Sequence, residues 1–481
     1  MSKTNKRVLF INPTKKRRTE TDRVHLGFCL LGSILSDAGH ETRVLDLSFL
    51  QHVTDAAIIK DAQWHVQDFR PDVIGISVFS FLHRETVVLL RELETIWNGT
   101  VLLGGPHFAV FPEDFREFPN VDYVVRGEAE NVILDILQPN TLTSNPTYID
   151  AKPTNPDRIP RADLSVVYGN QHMTVFQIQL SRGCNYQCSF CSVHRVAGRQ
   201  IRSRRIEECL EEIIAARSEF PAISNIVITD DCPGYDSLRL KQFLRLMAQS
   251  CQGVRLYIDN MRADIVDEEL LELYVAAGGE NICLGAESGH PEVFKKVHKG
   301  ESLEKIRAAA GLVKKHNLLL GLCFIIGLPG DTPERHYHSV RFARSLEPDY
   351  CYWNMVVPWP GTAVYKWYEE NGTVEDQRNF TTLVNDRAQF DSPICDSREF
   401  PKRELIRAWL IANMETHDLL VNPIALPKIM YLSIKYRILG SFLAYCIRLL
   451  RSPSKFMAFI NRGIQIRWGK IRSILQGVSN K

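Results

Sequence analysis

No apolar run of roughly 18 residues occurs in this chain, so an ordinary membrane-spanning helix is not expected. The opening stretch, MSKTNKRVLFINP, is basic but passes at once into a strand-like run, and it does not read as a secretory leader. Without a leader, twelve cysteines do not read as a disulfide framework. Metal or redox use in a reducing, cytoplasmic setting is the better expectation. Nine of the twelve are scattered, with no two neighbours among them closer than 19 residues, which argues against a second metal cluster. Internal repeats and low-complexity tracts are also missing. Acidic residues are absent from residues 421–481, which carry eleven Lys and Arg. The formal charge of +2 therefore conceals an acidic body and a basic tail.

What the chain does have is alternation. Over residues 1–140, RVLFINP, ETRVLDL, DVIGISVF, VLLGGPH and YVVRGE are short Val/Ile/Leu-rich runs separated by helix-like stretches. That pattern predicts a doubly wound, flavodoxin- or Rossmann-like domain with a parallel sheet. Prolines punctuate residues 141–170, read as a linker. A second alternation fills residues 171–390, with strands expected at TVFQIQLSRG, NIVITDD, RLYIDNM, NICLGAES, LLLGLCFIIGLP and YCYWNMVVP. Six such units predict a partial (β/α)6 barrel, whose chemistry belongs at the C-terminal ends of the strands. Residues 391–481 are expected to be a helical region ending in a basic amphipathic tail.

Three cysteines, Cys184, Cys188 and Cys191, sit immediately after the first barrel strand in SRGCNYQCSFCSVHR. Clustered thiolates select zinc or iron–sulfur centres. A structural zinc normally takes four protein ligands, and here His194 would have to be the fourth. The alternative is a cubane cluster with three irons held by protein and one left open.

The Cys-x3-Cys-x2-Cys spacing resembles that of the radical S-adenosylmethionine (SAM) enzymes. Phe190 stands before the third cysteine, as an aromatic residue does in that family. ITDDCPGYD, GAESGHPEVFKKVHKG and FIIGLPGDTPE are similar to its later strand ends, in order, so the resemblance covers residues 174–375. It implies that Cys184, Cys188 and Cys191 hold a [4Fe-4S] cluster whose open iron chelates SAM. An external electron donor of flavodoxin or ferredoxin type would then trigger release of a 5′-deoxyadenosyl radical. By position, Asp230 or Asp231 would meet the methionyl ammonium, unless either caps the helix beginning SLRLKQFLRLM. Glu287 and Ser288 would meet the carboxylate or ribose. Gly327 would let adenine approach the backbone, and Arg262 would pair with an acid at the mouth. Cys232, beside the two aspartates, is a candidate for a direct catalytic role. Cys209, Cys283 and Cys323 read as small buried hydrophobes.

VHLGFCLLGSILSDAGHETRVLDL, LLGGPHF, VVRGEAE and the linker's IPRADL are similar to the cobalamin-binding domain fused to many radical SAM enzymes. Ser77, Gly104, Gly105 and His107 are the implied contacts. The Asp-x-His-x-x-Gly motif that gives some such domains an axial histidine is absent, because Asp22, His25 and Gly27 have the wrong spacing. Cobalamin would then bind without histidine ligation. Together the two resemblances imply C-methylation of an unactivated carbon, in a small-molecule or lipid-like substrate. Cyclisation or skeletal rearrangement is the alternative within the same domains, and a non-catalytic cofactor-binding regulator is the alternative outside enzymes. The tail suits an anionic membrane surface or a helical cap. Nucleic acid is disfavoured, since no reading module accompanies the charge.

Overall fold

The computed structural model describes residues 5–13, 23–47, 55–138, 146–259, 261–376, 393–416 and 426–451, with Met457. The N-terminal sheet consists of β1 (Arg7–Asn12), β2 (Glu41–Asp46), β3 (Val73–Ser77), β4 (Thr100–Gly104), β5 (Tyr123–Arg126) and β6 (Thr147–Asp150), in the order β2-β1-β3-β4-β5-β6 and parallel throughout. Successive side chains on a strand point to opposite faces, and this sheet is covered on both. Leu9, Ile11, Ile74, Ile76 and Leu103 pack on one side with helices Asp55–Phe69 and His83–Glu94. Val8, Phe10, Val44, Leu102 and Val125 pack on the other with helix Leu26–Asp37, in a core that continues into the second domain. The doubly wound prediction holds, and β6 corrects the linker. Residues 147–150 were read as unstructured among prolines, yet Tyr148 and Ile149 pair with Val124 and Val125.

The second domain begins with β7 (Val175–Ile178). A two-residue antiparallel pair follows, β8 (Ser181–Arg182) with β9 (Arg202–Ser203). Next come β10 (Asn225–Ile228), β11 (Arg255–Ile258), β12 (Asn281–Glu287), β13 (Leu319–Ile326) and β14 (Tyr350–Met355). β11-β10-β7 and β12-β13-β14 are parallel, and single bridges at Leu256–Gly279 and Met261–Leu284 join the two halves. All six expected barrel strands are present. Ile226, Ile228, Leu256, Ile282, Leu284, Leu320, Leu322 and Phe324 are buried. Alternate positions such as Gln177, Tyr257, Cys283, Cys323 and Asn354 are half-exposed and line the open inner side. Cys283 and Cys323 are therefore not the buried hydrophobes expected of them: their sulfurs lie 3.4 Å apart on neighbouring strands.

Helix Lys402–Thr416 packs on β14, and Trp409 donates its indole N–H to Trp353 O at 2.8 Å. Helices Leu426–Lys435 and Leu439–Leu450 bury Ile429, Leu432, Phe442, Tyr445 and Leu449 in the same core. This part of the tail is a cap. The basic residues beyond Arg451 all lie outside the described residues.

Candidate functional site

The cysteine loop leaves the barrel between β8 and β9. Gly183 opens it with φ of +95°, and a Cβ there would run into Gln200 O, so only glycine makes this turn. Cys184 N–H donates to Gly198 O at 3.2 Å, and Cys191 N–H to Cys188 O at 3.1 Å. At the tip, Ser189 N–H donates to Val297 O (2.8 Å), while Val364 N–H donates to Ser189 O (3.1 Å). The loop is thus anchored at its base and tip, with all three thiols half-buried. Phe190 packs partly buried against the barrel core. Burial pushes the Cys188 thiol up to about 11 and raises Cys191. Cys184 moves the other way, to about 6, chiefly because the Cys232 thiol donates a hydrogen bond to it. Cys232 is accordingly a buried neighbour of Cys184.

Asp230 is committed to positioning this loop. Its Oδ1 accepts from Leu180 N–H at 2.7 Å and its Oδ2 from Ser181 Oγ–H at 2.6 Å. Burial raises its carboxyl to about 6 against the pull of those bonds. Each oxygen of Asp230 thus already holds one donor from the loop. Asp231 Oδ2 accepts from Gly183 N–H at 2.8 Å. Neither caps the following helix; Asp236 does, accepting from Arg239 N–H at 3.0 Å.

Arg262 finds the expected acid. Its guanidinium forks onto Asp264 (Nε 3.0 Å, Nη2 2.7 Å), donates to Lys299 O at 2.8 Å and covers the Tyr186 ring at 3.6 Å. Glu287 ends β12 at a bulge with φ of +57°, an uncommon conformation for a side-chain-bearing residue. Its Oε1 lies 3.0 Å from Lys299 Nζ, which also donates to Gly285 O and stands 3.6 Å from Glu301. Lys299 and Glu301 were missed because they sit in a loop with no local signal. Two corrections apply here. Ser288 is turned away from the mouth, 3.2 Å from Ser339 Oγ and accepting from His290 N–H. At Gly327, φ of +85°, the side a Cβ would occupy is filled by protein, 2.7 Å from Leu405 and 3.3 Å from the Tyr368 hydroxyl, so adenine has no approach from that side.

At the sheet edge of the first domain, Ser77 is buried while Gly104 and Gly105 are half-exposed. The loop after β4 touches the barrel's cysteine segment: Arg195 Nε donates to Ala109 O at 3.3 Å, and Phe111 meets Trp359 with centroids 6.4 Å apart. His107 is corrected. Its imidazole is fully buried, with Nδ1 3.0 Å from Ser80 Oγ and Nε2 3.2 Å from Asp114 Oδ2, so no ring atom reaches a ligand outside the sheet.

A family model described as the radical SAM superfamily matches residues 178–343, and one described as the B12 binding domain matches residues 17–137. The chain belongs to the B12-binding radical SAM enzyme family. An uncharacterised methyltransferase of Pyrococcus horikoshii is 26% identical over 411 residues, covering 78% of this chain and 86% of that protein. The anaerobic magnesium-protoporphyrin IX monomethyl ester cyclase of Rubrivivax gelatinosus is 24% identical over 372 residues, covering 70% and 66% respectively. Among solved structures, the radical SAM methyltransferase TsrM of Kitasatospora setae, with cobalamin and a [4Fe-4S] cluster bound, has a TM-score of 0.60 at 18% identity. The match covers 76% of this chain and 75% of that one, and shows a shared fold.

The residues of this radical SAM domain suit a cluster better than a single ion. Thiolates on one zinc, at about 2.3 Å each, stand about 3.8 Å apart. Among the described residues, no three of Cys184, Cys188, Cys191 and His194 bring their ligand atoms within 4.8 Å of one another. A cluster binds each thiolate to a different iron and spreads them. The positive charges of Arg262 and Lys299 act on Cys188 and favour its thiolate. The B12-binding domain also fits. Its sheet order places a crevice at the carboxyl ends of β1 and β3, and the neighbouring glycines open the backbone beside it. A Cβ on Gly104 would meet only Val125 O, at 3.6 Å, whereas one on Gly105, at φ of +100°, would strike Val78 N and O at 2.7 Å. Gly104→Ala should therefore keep its stability and report on ligand approach alone. Gly105→Ala should cost about 1–3 kcal/mol in urea denaturation.

Proposed function

We propose that this protein is a cobalamin-dependent radical SAM C-methyltransferase acting on a small molecule. The observation that carries the reading is the contact between the cysteine segment and the Gly104–Val110 loop, through Arg195 and Ala109, which would bring the two proposed cofactor sites to one opening. Cys184, Cys188 and Cys191 would hold the cluster, Asp231 and Glu287 would face SAM, and Ser77, Gly104 and Gly105 would border the corrinoid. Bound there, the cluster would supply an electron to cleave SAM, and the cobalamin would supply a methyl group. The chain's own contribution is placement. Asp230 and Gly183 fix the cysteine loop, Lys299 fixes Glu287, and the half-exposed inner side of the barrel would receive the substrate.

With SAM labelled in its methyl group, label should appear on a product carbon. 5′-Deoxyadenosine and S-adenosylhomocysteine should form in equal amounts. The cyclase relatives favour a second reading. Unlabelled product with 5′-deoxyadenosine and no S-adenosylhomocysteine would establish ring formation or rearrangement instead.

The capping helices suit a peripheral membrane contact, because they are apolar on both sides. Opposite their buried residues, Tyr431, Ile434, Leu443, Ile447 and Leu450 are exposed beside Lys435, Arg437 and Arg451. Deleting these helices would open the core, so the test is Ile434→Asp with Ile447→Asp. Wild type should sediment with anionic liposomes at low salt and the double variant should stay in solution. Equal partitioning would leave the helices as a cap.

A further inference from the structure

Three side chains in the first domain converge at the loop after β4. Among the described residues, His83, His107 and Asp114 form the group of His, Cys, Asp and Glu residues whose ligand atoms all lie within 4.8 Å of one another. They come from different places in the fold: His83 opens the helix after β3, His107 opens the turn after β4, and Asp114 opens the turn Asp114–Glu117. Both imidazoles are buried, with ring centroids 5.2 Å apart. His107 Nε2 lies 3.2 Å from Asp114 Oδ2, yet it makes no hydrogen bond, so the distance is short while the direction is wrong. Its other nitrogen, Nδ1, is held from behind by Ser80 Oγ at 3.0 Å, the outer support that a ligating imidazole usually has. His83 Nε2 is 3.5 Å from Glu117 Oε2, whose side chain is 47% exposed and opens the group to solvent.

We propose that His83, His107 and Asp114 bind one divalent cation of the zinc class, with the fourth position left to water on the side where Glu117 opens to solvent. Ligand bonds of about 2.0–2.1 Å in a tetrahedron set neighbouring ligand atoms about 3.3 Å apart, close to the 3.2 Å between His107 Nε2 and Asp114 Oδ2. Two imidazole nitrogens exclude the all-oxygen preference of magnesium and calcium, and the lack of thiolate separates the site from the cluster. The Asp114 carboxylate offsets part of the ion's charge, Glu117 lies close to His83, and Phe108, Phe111 and Phe118 wall the imidazoles. The cation would tie the turn after β3 to the turn after β4, bracing the loop that touches the barrel. Its role is structural, and it does not depend on the reaction proposed above.

The test uses the full-length protein, purified anaerobically with its cluster, incubated with zinc sulfate and desalted. About one zinc per chain is expected, with X-ray absorption showing a shell of nitrogen and oxygen only, near 2.0 Å. His83→Ala and Asp114→Asn should lose the zinc while keeping their iron and near-ultraviolet circular dichroism. Dipicolinate should lower the melting temperature of wild type but not of Asp114→Asn. No zinc in wild type, zinc kept by both folded variants, or a shell containing sulfur near 2.3 Å would overturn the proposal. If the variants do not fold, the wild-type shell decides it alone.

Discussion

Replacing Cys184, Cys188 and Cys191 together by alanine should take the anaerobically purified protein from about four irons per chain to none, and 5′-deoxyadenosine formation from measurable to nil. The chain should nevertheless stay folded. The contacts that shape the loop belong to other groups: the Asp231–Gly183 and Asp230–Leu180 bonds, the β8–β9 pair, and the backbone bonds from Ser189 to Val297 and from Val364 to Ser189. Each thiol is half-buried, so its removal leaves a gap open to solvent rather than a sealed cavity. Circular dichroism and urea midpoints close to wild type, with iron and cleavage both lost, are the expected combination. Zinc in place of iron in anaerobic wild type would defeat the cluster assignment. Iron kept by the triple variant would defeat it as well.

Glu128→Ala should cost up to about 3–5 kcal/mol, because it leaves the mostly buried Arg202 guanidinium without its carboxylate. Glu128 follows β5 and accepts from both nitrogens of the Arg202 fork, from Arg182 Nη1 at 3.2 Å and from Thr154 N–H at 2.7 Å. One carboxylate therefore joins the first domain, the segment after β6 and both strands at the base of the cysteine loop. Arg182 keeps a second carboxylate partner in Glu130 at 2.8 Å, whereas Arg202 keeps only neutral acceptors, Thr154 O at 2.5 Å and Ala197 O at 3.0 Å. Burial alone would raise the Glu128 carboxyl, but the Arg202 hydrogen bonds, the Arg182 charge and the Thr154 N–H outweigh it, and the net shift is downward. A carboxyl lowered on folding contributes stability that is fully present above its unfolded value, about 4.3, and is lost as pH falls through the lower folded value. Urea midpoints should show wild type and Glu128→Ala far apart at pH 7 and converging below about pH 4. A difference that stays constant with pH would mean that lost packing, not charge, is responsible.

How far these features are legible in the sequence depends on the range of the interactions behind them. Apolar alternation of period two, and the helical stretches between, come from neighbours along the chain, so the sheet and the six barrel strands could be read directly. The three cysteines are equally local: a spacing of four and three residues keeps the thiols on one short loop whatever surrounds them. Tertiary structure decided which side chain faces which. Asp230 and Asp231 are adjacent and chemically alike, but one closes on Leu180 and Ser181 across the barrel and the other on Gly183. Lys299 follows a helix that returns it to Glu287, and nothing within a few residues marks that return. β6 hid among prolines because an edge strand of four residues is shorter than any pattern that would reveal it. His107 looked like a loop histidine until the turn Asp114–Glu117 folded back over it. The chain's own order determined the fold, the cluster motif and the family. The partners of each strand-end residue were set by loops whose paths depend on contacts many residues away, where sequence spacing carries no distance.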